Sequence, residues 1–418
     1  MRKARKLLAV SWELPPMYGP RATQVARTLG QLALLGWHST VVCLDPRRGG
    51  PHWRDGVDAV FPGGIDTIRV PSPEEWTLVR VAWRVLPALR DRPDSKWVWI
   101  GRAARAAAQQ AAKTSFDGLV TFGQPWSDHL VGLRVHRATK LPWVAHFSDP
   151  WVDSPYLRSS PAQLRDARRM EEEVIREADG LVFVTRQMAD LVMKKYPEAW
   201  RGKAGVVPHG FDGTSVSQRD HPRRATGPMR LVYTGRFYEG LRTPTSVLQA
   251  LARLHARQSL VNVLNVTFVG PHVTWFALEA ARLGISAFVH FRDRVPPAEA
   301  IAVADEADVL LVIDAPTEGP SPFLPSKLVE YLPLRKPILG VTPSAGATAE
   351  LLQRLGCQAA APGDVDAIEI ALVCLLKQWH DGALSVSPAF DRIAEEFDIR
   401  RTTAQFAGLL THVFDRAS

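Results

Sequence analysis

The chain has 418 residues, 46% of them hydrophobic and 22% charged, which is ample apolar material for two cores and too long for one. That composition excludes global disorder, and no window approaches the ~18 uninterrupted apolar residues that a membrane-spanning helix needs. The formal charge of +8 favours anionic partners (nucleotide sugars, lipid phosphates, an anionic membrane face), but the basic residues are scattered rather than set in a zinc-finger, RNP or helix-turn-helix pattern, so nucleic acid is not expected.

Met1 to Val10 imitates a signal peptide, yet the apolar run breaks at Trp12-Glu13 and Pro15-Pro16 follows. The expectation is therefore a first strand, Lys6 to Ser11, of a cytosolic protein. The next loop, Pro15 to Thr23, places Gly19 where a helix opens, and Val25, Leu29, Leu32 and Leu35 mark that helix's apolar face. Further strand-like runs are Ser39 to Leu44, Gly118 to Phe122, Trp143 to Phe147, Gly180 to Thr185 and Gly205 to Pro208, each followed by a helix or long loop. Such alternation implies a parallel sheet flanked by helices. One region departs from it. Glu74 to Lys113 mixes Trp76, Trp83, Trp97 and Trp99 with Arg80, Arg84, Arg90, Arg92, Arg102 and Arg105. Tryptophan with arginine on an amphipathic helix describes an interfacial surface, and also a helix whose tryptophans pack inward while its arginines are solvated. The first description carries an expectation of peripheral contact with the inner face of a membrane, or with a lipid-linked acceptor, through 74–113.

Between Gly213 and Pro228 the text turns polar and rich in turn formers, and a second series opens at Met229. It continues through Val263 to Gly270, Phe288 to Arg292, Val309 to Ile313, Ile338 to Val341 and Cys357 to Ala361. The expected organisation is α/β: a first Rossmann-like domain over 1–212, a linker over 213–228, and a second Rossmann-like domain over 229–387 facing the first across a cleft. Helical segments over 388–418 have no strand partner and are expected to cross back to the first domain. Cys43, Cys357 and Cys374 are far apart and lack a CxxC, so neither a disulfide framework nor a zinc site is expected.

The most informative stretch is Pro322 to Leu339. Asp308 to Asp314 is an apolar run suited to a buried parallel strand, and ligands of open α/β sheets bind beyond the carboxyl ends of such strands. Pro325 suits a helix's first turn, so the amides of Ser326, Lys327 and Leu328 are expected to face an anion. Lys327 and Glu330 then share a helical face, cation before carboxylate, in the order a nucleoside diphosphate sugar would need. The same two residues also fit a surface ion pair worth only ~0.2–0.5 kcal/mol. Arg236 follows the second series' first strand, with Arg242 placed at the start of the next helix, and two guanidiniums at a strand end suit a diphosphate. Asp364-Val-Asp366 spells a metal-binding Asp-x-Asp, but it follows Pro-Gly and precedes an apolar run, which is the position of a helix cap.

Together, Pro15 to Arg21, Leu141 to Trp151, Glu171 to Thr185, Val206 to Asp212, Tyr233 to Arg242 and the Lys327/Glu330 segment resemble the retaining glycosyltransferases of the GT-B fold, family 4. The resemblance implies that Arg236, with Arg242 or Lys327, holds the donor diphosphate and that Glu330 binds the donor ribose. It further implies that the loop at Arg294 and Val295 meets the base through its backbone, that Gly19 lies near the diphosphate, and that Asp149 serves the acceptor side. The family's first late glutamate would stand at Pro322, and Glu318 is the nearest acid able to replace it. Ser148 stands where many relatives carry histidine, with His146 two residues earlier. The implied activity is sugar transfer with retention from a nucleotide-sugar donor to a glycan, lipid-linked or small-molecule acceptor, without a metal or other cofactor. Asp149, Arg236, Lys327 and Glu318 are the expected catalytic set. The setting implied is cell-envelope polysaccharide or secondary glycan synthesis; the rival readings are a non-catalytic GT-B scaffold and a sugar-nucleotide epimerase or phosphorylase.

Overall fold

The computed structural model describes residues 4–17, 19–46, 65–73, 77–85, 92–157, 159–213 and 227–417. The chain divides into two units, Met1–Gly210 with Ile399–Ser418, and Phe211–Asp398. The first holds seven parallel strands: β1 (Arg5–Val10), β2 (Trp37–Leu44), β3 (Ile65–Val70), β4 (Gly118–Gly123), β5 (Trp143–Phe147), β6 (Gly180–Phe183) and β7 (Ala204–Val206). Their order is β3-β2-β1-β4-β5-β6-β7. The second holds six: β8 (Met229–Thr234), β9 (Leu264–Val269), β10 (Val289–Arg292), β11 (Val309–Ile313), β12 (Ile338–Val341) and β13 (Gln358–Ala360), ordered β10-β9-β8-β11-β12-β13. In each sheet the order reverses beside the unit's first strand, between β1 and β4 and between β8 and β11. Those two switch points are where a doubly wound sheet leaves a crevice for ligand.

The strands are nearly continuous apolar runs because helices cover both faces. In the first unit Leu8, Val10, Leu119, Ala145 and Leu181 point into one buried cluster, while Leu7, Ala9, Val120, Val144 and Val182 point into the other. The second cluster is closed by the helix Ile399–Ala417 through Phe406, Leu410 and Phe414. This returning segment starts later than the sequence suggests. Phe390, Ile393 and Phe397 are buried with Leu328 and Leu332 in the second unit, so the stretch before Ile399 stays there.

Two other readings change. Strand β3 escapes the sequence pass because its inner residues are half-exposed and Asp66 and Arg69 interrupt its pattern; its register on β2 identifies it. Trp99 is not interfacial: it is fully buried, meets Trp12 edge-on at 5.1 Å and donates from Nε1 to the Val70 carbonyl at 3.0 Å. Arg102 and Arg105 do lie exposed on the helix Ile100–Lys113, whose Ala103, Ala104 and Ala107 face inward. Trp76, Arg90 and most of the expected linker, 214–226, fall outside the described residues.

Candidate active site

At the β8/β11 switch point the helix Ser326–Tyr331 is tied to the end of β8 by one residue, Thr234. The Lys327 ammonium donates to the Thr234 carbonyl at 2.6 Å, and the Tyr331 hydroxyl accepts from the Thr234 amide at 2.9 Å. Lys327 also lies over the Tyr233 ring, 4.1 Å from its centroid. It reaches that position because residue 235 is glycine: a Cβ there would fall on the Lys327 ammonium. Gly235 in turn is packed against Gly270, at the end of β9, where a Cβ would strike the Gly235 carbonyl. Both glycines have positive φ, +152° and +144°. Sequence reasoning named neither as a site residue, although a glycine at the carboxyl end of each neighbouring strand was the available signal.

Burial, and after it the charge of Arg242, lowers the Lys327 ammonium to about 7, against the pull of Asp314 and Glu330. Arg242 precedes the helix Thr245–Arg257 rather than opening it. It closes a turn with Tyr238, donates from Nη2 to the Arg236 carbonyl at 3.0 Å, and its buried Nε has no hydrogen-bond partner among the described residues. The guanidiniums of Arg236 and Arg242 lie 6.0 and 4.9 Å from the Tyr238 ring centroid. Three cations, Lys327, Arg242 and the exposed Arg236, thus cluster on the segment that follows β8 and on the helix tied to it. Such a cluster is suited to an anion.

The remaining expected residues are placed as follows. Glu330 is exposed one turn beyond Lys327. The Leu328 amide is not free, since it donates to the Pro325 carbonyl at 3.0 Å, and the Leu328 side chain is buried in the core; the helix has only 6 residues, so the expected three-amide cradle shrinks to Ser326 and Lys327. Val295 is half-buried in the loop after β10, whose last residue, Arg292, accepts the Gly270 amide at 3.0 Å. Glu318 is exposed, makes no hydrogen bond or ion pair among the described residues, and lines a groove with Pro343, Ser344, Ala345 and Pro362. Ser321 beside Pro322 pairs with Gly346, fastening this loop to the one after β12. Asp364 caps the helix Val365–His380, its Oδ1 accepting from the Ala367 amide at 2.9 Å, and Asp366 pairs with Arg253. Among the described residues no three His, Cys, Asp or Glu side chains group as a metal site.

The first unit gathers a separate polar cluster at the β1/β4 switch point. Gly19, with ordinary extended backbone, precedes the helix Pro20–Leu34, whose Arg21 is buried and donates from Nη2 to the Gly123 carbonyl at 2.6 Å. Asp149, after β5, accepts from Gln124 Nε2 at 3.0 Å and lies 3.4 Å from Ser148 Oγ, and burial pushes its carboxyl up to about 6 against the charge of Arg21. His146 lies buried beside Arg21, and burial holds it and the neighbouring His129 and His209 neutral, the last two at about 3. Trp151 stacks on Trp126 at 5.2 Å, and buried Glu171 accepts the Val152 amide, the Tyr196 hydroxyl and the Lys195 ammonium, which fixes the segment after Asp149.

Residues 21–210 match the model of the glycosyl transferase 4-like domain. No curated protein matches the chain by sequence. Among solved structures, sucrose-phosphate synthase from Thermosynechococcus elongatus superposes with a TM-score of 0.73 at 16% identity, covering 99% of this chain and 100% of that one. HepE of Anabaena, solved with UDP-glucose, gives 0.65 at 15% identity over 97% and 99% of the two chains. WaaG, a glycosyltransferase involved in lipopolysaccharide biosynthesis, gives 0.60 at 16% over 98% of each. At these identities the likeness speaks to fold, and its span of both units agrees with the two switch-point sheets. Residues 21–210 thus carry the match to the glycosyl transferase 4-like domain, and the chain as a whole has the GT-B fold of these solved structures.

Proposed function

We propose that the protein transfers a sugar, with retention, from a nucleoside diphosphate donor to an acceptor hydroxyl in cell-envelope or secondary glycan synthesis. The observation that carries the donor half is the cation cluster of Lys327, Arg242 and Arg236 at the β8/β11 switch point, with Glu330 one helical turn farther on. HepE was solved with UDP-glucose and with UDP, which supports a donor of that class. In this reading the cations take the diphosphate, Glu330 accepts from the ribose, and the backbone near Val295 meets the base. The bond from the sugar's anomeric carbon to the diphosphate breaks as negative charge grows on the leaving oxygen. The acceptor oxygen bonds to the same face of that carbon, and its proton passes to the departing phosphate. Each charged hydrogen bond to the leaving group contributes roughly 1.5–3 kcal/mol, so a few such bonds supply much of the barrier lowering and no metal is invoked. Asp149 accepts a hydrogen bond from the attacking hydroxyl. Glu318 stands on the loop where a sugar-positioning acid is expected.

Thermal unfolding with UDP, GDP and dTDP side by side tests the donor assignment. One nucleotide, at about 100 times its dissociation constant, is expected to stabilise the protein by ~2.7 kcal/mol. No shift with any of the three would favour a GT-B scaffold without turnover. Arg236 is exposed, so Arg236→Ala is expected to leave the melting midpoint within about a degree while lowering turnover tenfold or more, measured as nucleotide release. Unchanged turnover would remove Arg236 from the donor site.

A further inference from the structure

We infer that Arg21 is the positioning residue of the first unit's site, holding Asp149 in place through the Gly123 carbonyl so that one carboxylate oxygen, Oδ1, is presented to the acceptor. This rests on the proposed role of Asp149. The Gly123 carbonyl, at the end of β4, receives three donors: Arg21 Nη2 at 2.6 Å, Ser148 Oγ at 2.9 Å and the Ser148 amide at 3.1 Å. It therefore joins the first turn of the helix after β1 to the residue preceding Asp149. Gln124 Nε2, on the residue that follows that carbonyl, donates to Asp149 Oδ2 at 3.0 Å, and Ser148 Oγ, whose one hydrogen goes to Gly123, lies 3.4 Å from the same oxygen. Oδ1 makes no hydrogen bond among the described residues. One oxygen is thus committed to the scaffold and the other is left for a ligand.

Charge reinforces the geometry. The groups around Arg21 and Asp149 are Glu13 on the loop after β1, Asp128 and His129 on the helix Ser127–Thr139, His146 on β5 and His209 beyond β7. Burial keeps the three histidines neutral and raises the Asp128 carboxyl, whose Oδ2 accepts the Trp12 amide, well above the carboxylate range. Arg21 is then the cation that faces Asp149 at neutral pH. A buried carboxylate without its cation takes up a proton more readily, and a protonated Asp149 would offer a donor where the acceptor hydroxyl needs an acceptor. Arg21 therefore sets both the orientation and the charge of Asp149 without touching substrate itself.

The test is a carbon-13 titration of protein labelled at the aspartate carboxyl carbon, the Asp149 signal being assigned by its loss in Asp149→Asn. Arg21→Gln is expected to raise the Asp149 midpoint by about one pH unit or more, whereas Arg21→Lys, which keeps the charge, holds it within a few tenths of wild type. Once an acceptor is in hand, Arg21→Gln should lower kcat while the donor KM stays near wild type, and the acid limb of the pH profile should move up with the midpoint. Should Arg21→Gln fail to fold, Arg21→Met carries the same prediction, since it removes the charge and the bond to Gly123 while keeping the packing of the stem. An unchanged midpoint in Arg21→Gln, or in Arg21→Met if that variant must replace it, would overturn the inference. The nucleotide melting shift reads donor binding and the carbon-13 midpoint reads the Asp149 carboxyl, so a failed donor assignment and a failed role for Arg21 are told apart.

Discussion

Lys327→Met is expected to lower turnover by about a hundred- to a thousand-fold, the scale of removing one preorganised charge from a developing anion. The same variant should lose a pH dependence that the wild-type protein shows. In the free protein the ammonium titrates at about 7, depressed from 10.5 chiefly by burial and next by Arg242. A lysine depressed in the folded state is a cost to the fold that is fully present below about 7 and is relieved as pH rises toward 10.5, because only the unfolded chain keeps the proton across that window. A bound diphosphate does the opposite: it favours the charged form and draws a proton in. Nucleotide affinity should therefore be greatest below pH 7 and fall by up to about tenfold per pH unit above it, until the pKa of the complex is reached. Calorimetric titration of the preferred nucleotide from pH 6 to 9 would show this slope in wild type and a flat, weaker profile in Lys327→Met. Equal affinity in the two proteins would take Lys327 out of the diphosphate site.

Gly270→Ala is expected to be the most damaging single methyl in the second unit. The new Cβ would meet the Gly235 carbonyl, which is backbone and cannot swing aside, at a φ of +144° that an L-residue rarely adopts. Both residues are anchored in the ladder region, Gly235 by donating to the Val269 carbonyl at 2.8 Å and Gly270 by donating to Arg292 at 3.0 Å. Strain and lost hydrogen bonding together should cost about 3 kcal/mol or more, seen as a lower urea midpoint for the second unit. Gly235→Ala shares the positive φ but meets a side chain in place of backbone. Its Cβ lands on the end of a flexible side chain, Lys327, so the chief loss there should be nucleotide binding, with a smaller loss of stability. If Gly270→Ala unfolds at the wild-type midpoint, the close approach of the two strand ends does not matter to the fold.

Much of the architecture is legible in local text. The run Val-Leu-Leu-Val-Ile at 309–313 is fully buried as β11, and all the strand runs singled out in the sequence form parallel strands. A buried parallel strand must be apolar on both faces, so it shows without reference to its neighbours. Strand β3 is missed for the converse reason: it lies at the sheet edge, where Asp66 and Thr67 are exposed and only pairing with β2 marks it. The tryptophans between 74 and 113 show the limit of composition. Trp97 is partly exposed and Trp99 is sealed against Trp12, a distinction that spacing alone does not make.

The positions of Arg236 and Asp149 at strand ends could be read from the sequence because each follows an apolar run within a few residues, and those of Lys327 and Glu330 because Pro325 marks the start of their helix. Their partners could not. Thr234 receiving Lys327 joins residues 93 positions apart, and Gly123 receiving Arg21 joins residues 102 apart. Both pairings exist because β8 lies beside β11 and β1 beside β4. Strand adjacency of that kind comes from the packing of helices on the sheet, and no window of sequence contains it. Periodicity and apolar content follow from short-range chemistry and settled the two-sheet α/β class, the strand runs and the location of the charged residues. Which charged groups are desolvated together, and which glycines had to be bare to let them approach, is a property of contacts between distant segments, so it emerged only with the folded chain.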